Sequence, residues 1–205
     1  MSITHHELVA ALVKPPLDII CSLSINTTDL WHGATGVAGE GGELLEALLA
    51  PLDQLDRVNV IEELGDIEFY AQQIRARLGW TRDDSVSASH LNIAPDMLLV
   101  HGAAAAVFAS QVLDTVKKSA VYNKPLDEAV LQTNLRDLDQ AMDAIRLSLG
   151  ISREETLEAN IAKLSKRYES LSYSDQAAQE RADKAGETTR KFFGQPRNTS
   201  PVAAE

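Results

Sequence analysis

A chain of 205 residues is long enough for one domain with a sizeable core, and its single cysteine, Cys21, excludes an intrachain disulfide. A formal net charge of -11 excludes polymeric nucleic acid as the expected partner, because DNA and RNA phosphates are bound chiefly through Lys and Arg. No run approaches the roughly 20 uncharged apolar residues of a membrane span, and Met1 to Leu8 lacks the basic-then-apolar order of a secretory signal, so the expected setting is cytoplasmic, with no membrane partner.

Ala and Leu dominate the apolar residues, which favours helices over sheet. Thr4 to Ser24 has helix-compatible apolar spacing interrupted at Pro15-Pro16, predicting a broken first helix. Thr27-Thr28-Asp29 offers caps for the next helix, whose positions Leu44, Leu45, Leu48 and Leu49 run to a stop at Pro51. Another is expected from about Asp56 through Val60, Leu64, Ile67 and Ile74 to Leu78, with Gly79 where a left-handed cap would fall. The polar stretch 80–95 reads as a loop or insertion, and Asp96 to Tyr122 as a helix with a small-residue stretch, Ala103 to Ala106. Asp127 to Leu149 spaces Leu131, Leu135, Leu138, Met142, Ile145 and Leu149 in alternating steps of four and three, a bundle seam ended by Gly150. Ser152 and Glu155 form a capping-box pattern opening a last helix, with Leu157, Ile161, Leu164 and Tyr168 on one face. The expected architecture is an all-α helical bundle over residues 1–168, followed by a polar, partly disordered extension over 169–205.

The distinctive feature is a pair of acidic motifs, Glu40-Gly41-Gly42-Glu43 and Glu63-Leu64-Gly65-Asp66. Residues three apart share a helix face, so each motif points two carboxylates the same way. Position 53 is midway between Glu43 and Glu63 and also between Glu40 and Asp66. An antiparallel hairpin turning there brings the two pairs to matching heights, since each helical residue advances the chain by about 1.5 Å. Four converging carboxylates repel one another unless cations intervene, and hard oxygen donors select Mg²⁺, or Mn²⁺ as a substitute. Gly41, Gly42 and Gly65 weaken these helices by about 1 kcal/mol each relative to Ala; room for a ligand and close helix contact both explain their presence.

At these residues the chain resembles the MazG-like all-α nucleoside triphosphate pyrophosphohydrolases, whose hallmark is ExxE followed after an interval by ExxD. A second similarity lies in Asn160, Lys163, Leu164, Arg167 and Tyr168, which look like the family's nucleotide-side segment. The resemblance implies an enzyme with Mg²⁺ ligands at Glu40, Glu43, Glu63 and Asp66. It further implies nucleotide contacts from Asn160, Lys163, Arg167 and Tyr168, hydrolysis of a (deoxy)nucleoside triphosphate to monophosphate and pyrophosphate, and a homodimer or homotetramer. Glu40 and Glu43 are the candidates for orienting the attacking water. Lys163 and Arg167, four apart, share a helix face suited to phosphate oxygens or to solvent. Lys117, Lys118 and Lys124 form another basic group, suited to phosphate or to the helix dipole; Lys117 is taken as the nucleotide candidate. Trp31 and Tyr122 are read as core residues first and base-stacking residues second.

Two other functions fit the same pattern: a phosphoribosyl-ATP pyrophosphohydrolase, and a non-catalytic helical protein that binds a cation and a partner. Di-iron bundles require a Glu-x-x-His motif that is lacking at both sites, and no Gly-Lys-Ser/Thr completes a phosphate loop.

Overall fold

The computed structural model describes residues 3–84 and 97–184. Every regular element among the described residues is helical, and no strand occurs there. The chain divides into two compact units, Met1–Asn160 and Ile161–Glu205, taken separately below. Most of the expected insertion, 85–95, and the end of the extension, 185–205, lie outside the described residues.

The first unit opens with the broken helix that Pro15-Pro16 demands. Helix α1 (His5–Leu12) begins at a Thr4/Glu7 capping box, and α2 (Pro16–Ser22) carries proline in its first turn, where an amide donor is dispensable. Helix α3 (Ile25–Leu48) starts earlier than the Thr27-Thr28-Asp29 signal suggests. Its cap is Ser24, which has extended backbone angles and accepts from the Thr27 amide at 3.1 Å. Asp29 is engaged in tertiary contacts instead, accepting from Arg77 and Gln73 of α4 (Arg57–Leu78).

Pro51 ends α3, a single 3-10 turn spans Leu52–Gln54, and Asp56 caps α4 through the Asn59 amide. The hairpin therefore turns about residue 53, as the spacing predicts. Gly79 closes α4 with φ +69°, a left-handed conformation that costs glycine nothing sterically. Helix α5 (Leu98–Tyr122) ends at left-handed Asn123, and α6 (Glu128–Leu149) runs from its Asp127 cap to Gly150. Ser152 Oγ then accepts from the Glu155 amide to open α7 (Arg153–Arg167).

Helix α3 packs against both α4 and α5, α6 packs against α5, and the pairs Arg75–Asp139 and Glu68–Arg146 tie α6 to α4. The core joins Val37 and Leu44 of α3, Leu64, Ile67 and Ile74 of α4, Val112 and Val116 of α5, and the seam of α6 from Leu131 to Ile145. Each large aliphatic side chain buried there contributes about 1.5–3 kcal/mol. Trp31 packs against this core, while Tyr122 is exposed. Close approach of α3 to α5 depends on Gly41, where a Cβ would lie 2.7 Å from the Ala109 Cβ. Helix α5 corrects the expectation that no run approaches a membrane span: it is the one described helix whose length and mean hydropathy of 1.3 suffice for one by length and composition, while its Ala105, Ala109, Val112 and Val116 are buried in the core.

The apolar face expected for α7 is corrected by the structure. Thr156 and Asn160 are its buried residues; of the expected face Leu157, Leu164 and Tyr168 are half-buried, whereas Ile161 is 65% exposed. The most deeply buried positions of α7 are thus polar, because Thr156 accepts from the buried Arg146 and Asn160 meets Asp66.

The second unit begins within α7 and continues beyond Glu169 with regular structure. Helix α8 (Asp175–Glu180) is capped by Ser174. Arg167 forks onto Asp183, with Nε and Nη2 each 2.6 Å from a carboxylate oxygen. That paired donation holds the Asp183 carboxyl below its ordinary pKa.

Candidate metal centre

Helix α3 contributes Glu40 and Glu43, and the antiparallel α4 contributes Glu63 and Asp66. One carboxylate oxygen from each of Glu40, Glu43 and Glu63 lies within 4.8 Å of the others. Oxygens ligating one divalent ion at about 2.0–2.6 Å each stand no more than about 4–5 Å apart, so this trio is spaced closely enough to hold one divalent cation. The three differ in depth. Glu63 is 8% exposed, Glu40 is half-buried and Glu43 is exposed, a gradient from protein interior to solvent along one cluster.

Asp66 stands outside the trio. It lies one turn beyond Glu63, and its Oδ1 accepts from Asn160 Nδ2 of α7 at 2.7 Å. Gly65, between them, faces α7: a Cβ there would approach the Asn160 Cβ to 2.9 Å and the Thr156 carbonyl oxygen to 3.2 Å. Close helix contact therefore accounts for Gly41 and Gly65, while Gly42 faces open space.

Of the residues expected to contact a nucleotide, Asn160, Lys163 and Arg167 lie on successive turns of α7 with Tyr168 directly after it, while Lys117 lies on α5. Asn160 is buried against α4, bonded to Asp66. Lys163, Arg167 and Tyr168 belong to the second unit; Lys163 and Tyr168 are half-buried, and Arg167 is paired with Asp183. Lys117 is exposed at the end of α5 and lies 3.7 Å from Asp114, which also pairs with Lys118 at 2.7 Å. An open apolar groove beside α3 and α5, lined by Leu45, Ala106, Val107 and Gln111 among others, includes none of the four motif carboxylates.

One large feature escapes a reading by motif. Glu68 accepts from Arg82, Arg146 and Arg153, Asp139 pairs with Arg75 and Arg82, and Asp143 pairs with Arg82 and Arg146. Burial would raise the Glu68 pKa, but the Arg153 hydrogen bond and the charges of Arg146 and Arg82 outweigh it, so Glu68 stays below its ordinary value. Asp139 goes the other way: burial dominates and raises its pKa despite Arg75 and Arg82. The available signal was charge beside the α6 seam, since Asp139 and Arg146 each follow a seam leucine or isoleucine by one position. Comparison with known protein families, with characterised proteins and with solved structures finds no match to this chain.

Proposed function

We propose that this protein is a divalent-cation-dependent pyrophosphohydrolase of the MazG-like kind, splitting a nucleoside triphosphate into monophosphate and pyrophosphate. The observation that carries the proposal is the convergence of Glu40, Glu43 and Glu63 from two antiparallel helices to within 4.8 Å, with Glu63 buried. Burying a carboxylate beside two others is costly unless a cation compensates, and an all-oxygen donor set suits Mg²⁺. Bound there, Mg²⁺ supplies charge neutralisation for the triphosphate and acidifies coordinated water.

The chain's own residues divide the remaining work. Glu63 anchors the site from the interior, while Glu40 and Glu43 extend it towards solvent, from which substrate and water arrive. Glu43, the exposed member, would orient a water molecule and accept its proton, with its exposure as the support for that role. Water adds to the α-phosphorus while its proton passes to Glu43, the bond from that phosphorus to the α,β-bridging oxygen breaks, and pyrophosphate leaves. The net acidity of the chain then disfavours long polyanions while admitting a small metal-neutralised one.

A homodimer or homotetramer in the cytoplasm belongs to the same reading. Leu49, Leu52 and Val58 are each more than half exposed about the hairpin turn, which favours a covered apolar tip. The test is a panel of ribo- and deoxynucleoside triphosphates and phosphoribosyl-ATP, assayed for pyrophosphate with and without Mg²⁺. Mg²⁺-dependent release from at least one nucleoside triphosphate is expected. Turnover of phosphoribosyl-ATP alone would move the substrate assignment, and no turnover of any compound would favour a non-catalytic cation-binding role.

A further inference from the structure

The close approach of α7 to α4 gives Asn160 a role different from the nucleotide contact its sequence position suggests. Asn160 is 7% exposed, and its amide nitrogen donates to Asp66 Oδ1 at 2.7 Å. It reaches Asp66 only because residue 65 has no side chain. A Cβ at Gly65 would stand 2.9 Å from the Asn160 Cβ and 3.2 Å from a backbone oxygen of the same helix, distances that would force α7 outwards.

A carboxylate held by a neutral amide is fixed in direction without being neutralised, so it keeps its affinity for a cation. Asp66 sits one turn beyond the buried ligand Glu63 on the same helix. Residues that bond to metal-site carboxylates orient them, and their loss typically weakens metal affinity or activity by about 10–100-fold.

We propose that Asn160 is a positioning residue that holds Asp66 at the edge of the Glu40, Glu43 and Glu63 cluster, and that Gly65 is glycine in order to admit it. This rests on the metal-dependent reading given above. Asn160 acts through Asp66, and the nucleotide is bound by other groups.

Calorimetric titration of Mn²⁺ into the full nucleotide-free chain separates the alternatives, using wild type, Asn160→Leu, Gly65→Ala and the double variant. Asn160→Leu keeps the volume and removes the donor; Gly65→Ala keeps the donor and displaces its helix. Both are expected to weaken Mn²⁺ binding by about 10-fold or more, with the double variant no weaker than the poorer single one because both act on one contact. With nucleotide present, kcat should fall while KM changes little. Wild-type Mn²⁺ affinity in both folded single variants, or a rise confined to KM in Asn160→Leu, would overturn the positioning role and leave the metal site standing. Absence of Mn²⁺ binding by the wild type would remove the metal reading, and the positioning role with it. Circular dichroism establishes that each variant is folded, and either single variant alone decides the question if the other is not.

Discussion

Glu63 and Glu68 are both buried on α4, five residues apart, and they meet opposite surroundings. Glu68, 3% exposed, accepts from three arginines, so its charge is answered by the fold itself. Glu63, 8% exposed, converges with two further carboxylates of α3. A buried anion among arginines is part of the scaffold, whereas carboxylates gathered from two helices to within 4.8 Å form a donor set suited to a cation. The same residue type, on the same helix, thus marks structure in one place and a candidate site in the other.

The largest expected effect breaks the scaffold. Glu68→Gln leaves buried arginines without their shared anion, and urea unfolding should show a loss of about 3–5 kcal/mol. Asp139→Asn should cost less, about 1–3 kcal/mol, because burial already disfavours the charged form of Asp139 and the amide retains an acceptor for Arg75. The two groups also differ in sign with pH. The folded-state pKa of Glu68 is depressed, so its stabilisation is present above its unfolded value near 4.5 and is lost as pH falls through the lower folded value. The folded-state pKa of Asp139 is raised, so its contribution is present below about 3.8 and is lost as pH rises through the higher folded value. Unfolding curves across the acid range should accordingly lose part of their low-pH decline in Glu68→Gln.

A smaller effect of opposite sign sharpens the contrast at the cluster. Without divalent ions, Glu63→Gln relieves like-charge crowding and should raise stability by about 0.5–1 kcal/mol. With Mg²⁺ present the order should reverse, since binding to the native state stabilises only the chain that retains the ligand. The smallest change is expected at Arg153→Ala, where a side chain 34% exposed leaves Glu68 with two other arginines; a loss of about 1 kcal/mol or less in the same urea assay is expected.

Much of the fold was legible because local signals agreed with the tertiary outcome. Pro15-Pro16, Pro51, Asp56, Gly79, Asp127 and Gly150 bound their helices where short-range chemistry places them. The α6 seam was legible from Leu131 to Ile145, because a strict apolar period needs no knowledge of its partner. On α7 the same logic failed: Ile161 fits the period but lies exposed, and the buried face is chosen by Asp66 and Arg146 on other helices. Symmetry about residue 53 predicts four converging carboxylates, and three of them, Glu40, Glu43 and Glu63, meet. The separate hold on Asp66 was not, because it depends on a contact 94 residues away along the chain. The arginine network was equally hidden, as Arg82 lies in a segment without helical period and its partners come from α4 and α6.

In the proposed site Glu40, Glu43 and Glu63 together bind one divalent cation. Electron paramagnetic resonance of free Mn²⁺, titrated against the nucleotide-free wild type and Glu63→Gln, measures this directly. One Mn²⁺ is expected to bind per wild-type chain and to be displaced by Mg²⁺, with affinity lowered about 100-fold in the variant. Equal binding by the two proteins, or none by the wild type, would contradict it.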